Sequence, residues 1–193
     1  LDPENRLYAR GPRIRLSAEQ IRDQALAVSG LLSTKMYGPS VMPPQPDGIW
    51  QTVYNGGTWV ESQGEDKYRK AVYTYLKRTS PYPSFLTFDA GSREVSTVRR
   101  TVTNTPLQAL VTLNDPVYLE TAYHLAKFMG QSNNVDENIR EGYRKAVLAD
   151  ITEEKLIVLK ELYNSSLSDF KEKPKNIKEF IPFETNTDAN IAA

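Results

Sequence analysis

Between Lys77 and Pro116 the chain (KRTSPYPSFLTFDAGSREVSTVRRTVTNTPLQALVTLNDP) sets an arginine pair, helix-start signals and a run of uncharged polar side chains side by side. That punctuation commits the polypeptide to short, sharply capped helices. Thr105-Pro106-Leu107-Gln108 places Thr at an N-cap, Pro at the first helical position, and Gln where it closes a capping box. The helix it starts should end near Asn114, and Asp115-Pro116 then opens another that runs to about Met129 before Gly130. Near the start of the chain, Ser17 and Gln20 form a second box, with Leu16 and Ile21 able to staple across it. Ile21, Ala25, Val28 and Leu32 follow at helical spacing and Gly30 supplies a stop, which predicts a helix over 18–29.

Two more helices are expected toward the C-terminus. Asp136 should cap one, with Ile139, Tyr143, Ala146 and Val147 inward. Thr152 should cap the other, with Leu156, Leu159, Tyr163, Leu167 and Phe170 inward. A very short turn joins them, so they should form an antiparallel pair. From Lys171 the composition turns polar (KEKPKN, ETNTDAN), which predicts a loosely held tail over 171–193.

The intervening region obeys different rules. Pro39 to Gly48 holds four prolines in ten residues and excludes regular helix or central strand. Asn55-Gly56 between two β-prone runs predicts a hairpin over about 50–61, with Trp50, Tyr54 and Trp59 on one face. Ala71–Lys77 is aromatic and β-branched enough for a third strand. The expected architecture is mainly α (α+β): a single helical domain over residues 1–170 carrying a small β-hairpin or sheet element.

Composition removes whole classes of function. The 24 basic and 24 acidic residues balance to zero net charge, which argues against a nucleic-acid binder. No apolar run approaches the ~20 residues of a spanning helix, which argues against membrane insertion. Cysteine is absent and His124 is the single histidine, so thiolate metal sites and covalent haem attachment are excluded within these residues. His124 falls outside the Tyr118, Ala122, Leu125, Met129 stripe, beside Glu120, Thr121 and Lys127, and no Gly-x-Ser-x-Gly elbow accompanies it. No metal site is expected.

The candidate ligand-binding residues are Trp50, Tyr54, Trp59, Glu65, Asp66, Asp89, Arg99 and Arg100. The aromatics could stack on a flat ring, although a small hairpin also needs an apolar face with which to dock on helices. Arginine forks suit carboxylate or phosphate, although one buried ion pair, Arg99 or Arg100 with Asp89, explains the pair without a ligand. Glu65, Asp66, Asp89 and Asp115 could supply a carboxyl pair for glycoside hydrolysis, but no spacing singles out a pair. Ser17, Gln20, Thr105, Gln108 and Asp115 read as structural caps.

The strings DPENRLYARGPRIRLSAEQIRDQALAVSGLL, GPSV, GEDKYRKAVYTYLKRTSPYPSFLTFDAGSREV and VRRTVTNTPLQALVTLNDPVYLE resemble the bacterial domain-of-unknown-function family 1553. That family is also described as the planctomycete-specific domain accompanying planctomycete cytochrome C domains. The resemblance implies the C-terminal part of a large exported protein, hence an extracytoplasmic location. It also implies upstream domains as partners, one of them cytochrome-c-like, so that any haem belongs upstream and no cofactor to this chain. It carries over no catalytic residues. The expected function is a non-catalytic module that docks on sister domains or binds a surface polymer such as polysaccharide. The alternatives are a polysaccharide- or sulfate-ester-directed hydrolase, and a redox-partner module for an upstream cytochrome c domain.

Overall fold

The computed structural model describes residues 2–11, 14–49, 57–91, 93–183 and 188–193. Its regular elements are helices: α1 (Ala18–Ser29), α2 (Pro83–Thr87), α3 (Pro106–Asn114), α4 (Pro116–Met129), α5 (Val135–Val147), α6 (Glu153–Glu172), α7 (Pro174–Phe180) and α8 (Ala189–Ala192). The mainly α reading therefore stands, whereas the β element does not. Residues 57–60, the expected second arm of the hairpin, carry no strand, and the first arm and turn lie outside the described residues. The expected third strand is a 3-10 turn, Ala71–Tyr73, followed by one isolated parallel bridge between Val41 and Thr74. Pro39, Pro43, Pro44 and Pro46 lack the N–H groups that a ladder along the Val41 side of that bridge would need.

Helix α1 begins and ends as its caps require. Ser17 Oγ accepts from the Gln20 N–H at 3.3 Å, Gln20 Oε1 accepts from the Ser17 N–H at 2.9 Å, and Gly30 takes φ +79. Its buried face is rotated by one residue from the expected stripe, and Ala18, Arg22, Leu26 and Ser29 point inward. The reason is Arg22, 1% exposed, whose guanidinium donates to the backbone carbonyls of Arg69 at 2.8 Å and Lys67 at 3.0 Å. Asp23 beside it accepts the Ala71 N–H at 2.7 Å. The 3-10 segment is thus pinned to α1 by side chains.

Arg69 repeats the device. It is 1% exposed, lies 3.9 Å over the Tyr73 ring, and donates to the carbonyls of Pro39, at 3.0 Å, and Tyr37. Guanidinium forks thereby satisfy carbonyls that a sheet would otherwise have paired. Trp59 Nε1 donates to the Pro43 carbonyl at 2.8 Å and the Tyr82 hydroxyl donates to the Pro44 carbonyl at 2.5 Å, which fastens the proline block to the core.

The main core gathers Ala18, Ala71, Tyr82, Phe85, Phe88 and Tyr118, with Ile21, Ala25, Trp59 and Val111 packed against it. Helix α2, which the sequence reading passed over, supplies Phe85 and is flanked by Tyr82 and Phe88. A second cluster of Ile139, Ile151 and Leu156 joins α5 to α6. Asn134, not Asp136, caps α5, because its Oδ1 accepts the Asp136 N–H at 3.0 Å. Val147 is exposed rather than inward. On α4 the buried set includes Glu120 and Thr121, and Ala122 is exposed; Glu120 accepts from the Tyr68 hydroxyl at 2.8 Å and Lys67 Nζ at 3.1 Å. The stretch expected as a loose tail carries the end of α6, α7 and α8, and buries Ile177 and Ile181.

Candidate functional site

Gln108 is the centre of the motif-rich segment. It is 4% exposed on the inward side of α3. Its Nε2 donates to the Thr87 carbonyl at 2.9 Å and to Thr103 Oγ1 at 3.2 Å, and its Oε1 accepts from the Thr105 N–H at 3.2 Å and from the Arg15 guanidinium. One amide therefore ties the N-terminal arm, the end of α2 and the start of α3 together.

Asp89 belongs to the same network. Its φ of 62° lies in the left-handed region, which Asp tolerates better than most residues. Its carboxylate accepts from the Thr103 N–H and the Thr103 hydroxyl, each at 2.8 Å. The hydrogen bond from the Thr103 N–H, outweighing partial desolvation, holds the carboxyl below its ordinary range.

The expected ion pair of Asp89 with Arg99 or Arg100 does not form. Arg100 instead spans to α1 and grips Glu19 through two hydrogen bonds, 2.7 and 3.0 Å, and Arg93 approaches the same carboxylate at 3.7 Å. The Arg100 hydrogen bond keeps Glu19 ionised to lower pH than usual. The Thr103 backbone N–H and hydroxyl occupy the Asp89 carboxylate in place of an arginine. Arg99, Arg100, Arg15 and Asp89 all border one cleft of about 400 Å³ floored by Leu16, Phe88 and Val102. Two of its three arginines are already spent on Gln108 and Glu19.

The other sequence candidates lie elsewhere. Glu65 accepts from the Ser33 hydroxyl at 2.6 Å and Asp66 pairs with Lys35 at 2.7 Å. Asp115 is buried and caps α4 through the Val117 N–H at 3.0 Å. Trp59 is half-buried and stacks on Tyr82 with centroids 5.8 Å apart, so its ring belongs to the core. Trp50 and Tyr54 lie outside the described residues. Each candidate carboxylate thus has its own local partner, and among the described residues no three His, Asp or Glu side chains gather as a metal-holding group.

What the sequence reading missed is the outer side of α3. The helix turns Gln108 inward and leaves Leu107, Leu110 and Leu113 exposed at 55%, 56% and 65%. Their spacing of three residues puts them on one side, opposite Gln108. No charged residue interrupts α3 (PLQALVTLN) in a chain that is 25% charged. An apolar groove between α1 and α4 meets the same helix at Thr112, lined by Ile21, Ala25, Val28, Ala122 and Leu125. The signal in the sequence is the spacing itself: Leu107, Leu110 and Leu113 recur every three residues along a helix that carries no charge.

No curated protein and no solved structure matches the chain. The model of the PSD1 family, described as protein of unknown function (DUF1553), matches residues 1–163, and the chain belongs to that family.

Proposed function

We propose that this chain is a non-catalytic docking module of a large exported bacterial protein, and that it binds a sister domain of the same polypeptide through the leucine face of α3. The inverted burial of α3, with an amide inside and three leucines outside, is the observation that carries this reading. Water would gain from losing that surface. Full burial of a leucine stabilises by about 1.5–3 kcal/mol, so covering three that are a little over half exposed contributes roughly 3 kcal/mol. Such patches mark contact sites on soluble domains. The side chains that could have served chemistry act as internal ties instead: Arg22, Arg69, Gln108, Asp89 and Glu120 all hold backbone or neighbouring side chains.

The test is to add the separately produced remainder of the parent polypeptide to this chain carrying labelled leucine methyl groups. Shifts confined to Leu107, Leu110, Leu113 and the α1–α4 groove support the reading; unchanged leucine signals contradict it. A second reading, a redox-partner module for an upstream cytochrome c domain, draws on the same uncharged face. It adds a requirement that the first does not, namely that docking changes the reduction potential of the upstream haem.

A further inference from the structure

Toward the C-terminal end of α4, α8 folds back against α4 and α6 and closes one wall of a cleft of about 470 Å³. Its floor is apolar, built from Met129, Ile139 and Ile191. Its rim is polar, built from Asn133, Tyr163 and Asn190 with Asp188 as its one charged side chain among the described residues. We propose that this cleft is a binding site for a neutral, polyhydroxylated ring, the chemistry of an uncharged saccharide.

Size and lining fit a ligand site, since such pockets run from about 300 to 1,000 Å³ and combine an apolar bed with a few placed polar groups. Among the described residues the lining holds no Lys, Arg or His, which gives an anion no counter-charge, and Asp188 repels it. A wholly apolar ligand would strip water from Asp188 and three other polar side chains without replacing their hydrogen bonds. A sugar ring meets both requirements: its C–H face lies on Met129 and Ile191 while its hydroxyls meet the rim.

The rim is ordered before any ligand arrives. Asn190 donates to Asp188 Oδ1 through both its backbone N–H, at 2.8 Å, and its side-chain amide, at 2.7 Å. The Tyr163 hydroxyl donates to Asn190 Oδ1 at 3.3 Å, which fixes the orientation of that amide. Among the described residues no hydrogen bond engages Asp188 Oδ2 or the Asn133 side-chain amide, so the first can accept from and the second donate to hydroxyls. Fixed polar groups on a preformed cleft lower the ordering cost of binding. The inference stands apart from the docking reading, because it uses none of the residues of α3 or of the α1–α4 groove.

The test is a titration of the isotope-labelled full chain with cellohexaose, mannohexaose and xylohexaose, and with sodium sulfate and glucose 6-sulfate as anionic probes. At least one neutral oligosaccharide should shift the Asn133 and Asn190 signals with a Kd on the order of 1 mM. Asn190→Ala should weaken that binding about tenfold, as loss of a charge-linked hydrogen bond does. Asp188→Asn, which keeps the α8 cap acceptor, should do the same with an unchanged melting temperature. No shift with any of the three sugars up to about 20 mM overturns the proposal, as do shifts lying outside the cleft, equal responses to the anionic probes, or wild-type affinity in Asp188→Asn.

Discussion

Asp115→Asn should stabilise the protein at neutral pH and leave it unchanged in acid. Asp115 is 5% exposed, and burial pushes its carboxyl up to about 6 despite the hydrogen bond from Val117 N–H and the charge of Arg22, both of which pull it down. The folded state therefore holds this proton more tightly than the open chain, whose carboxyl titrates at the ordinary 3.8. Stability from this site is greatest below about pH 4, falls as pH rises through about 6, and is flat above that. At ~1.4 kcal/mol per pH unit, the rise from 3.8 to about 6 corresponds to a cost of roughly 3 kcal/mol for keeping the charge buried at pH 8. Asparagine is isosteric, caps as well as aspartate and carries no charge to bury. Urea unfolding of both proteins from pH 4 to 8 isolates the effect, because Glu19, Asp23 and Asp89, which also titrate abnormally, cancel in the difference. The gap between variant and parent should open with pH to about 2–3 kcal/mol in favour of the variant. A gap that is constant with pH, or one that closes as pH rises, refutes the argument.

Arg69→Ala should cost roughly 2–4 kcal/mol in urea unfolding, because the Pro39 and Tyr37 carbonyls lose their donor in a region with no sheet to replace it. Gln108→Ala should cost about 2–3 kcal/mol and speed hydrogen exchange at the Thr105 amide, since one side chain serves Thr87, Thr103, Thr105 and Arg15. Gly30→Ala should lower stability by about 1 kcal/mol in the same assay, as φ +79 is costly for any residue with a Cβ.

How much of this was legible in the sequence follows from how local each signal is. Caps involve residues close in sequence, so Ser17–Gln20 gave the start of α1, Gly30 its end, and Thr105-Pro106 the start of α3. Burial is not local. Ile21 and Ala25 look like the inner stripe of α1, yet Arg22 takes the innermost place because carbonyls 45 and 47 residues away need its fork. The strand expected at 71–77 failed for the same reason, as β propensity does not supply a partner. The tail misled through composition: Ile177, Phe180, Ile181 and Phe183 are scattered apolar residues in a polar run, and they hold the seven-residue α7 in place, Ile177 and Ile181 buried and Phe180 against Phe170. At the candidate site, Asp89, Arg99 and Arg100 do border one cleft. Their partners, Thr103 and Glu19, could not be chosen from spacing alone.

Docking through α3 depends on its outward leucines. Calorimetric titration of the remainder of the parent polypeptide into this chain, and into Leu110→Asp, tests it most directly. Leu110 is 56% exposed, so the substitution should shift the urea midpoint by no more than an exposed change does, about 0.5 kcal/mol, while weakening association at least tenfold, or about 1.4 kcal/mol. Equal affinity for both proteins, or no association with the unsubstituted chain, would contradict it.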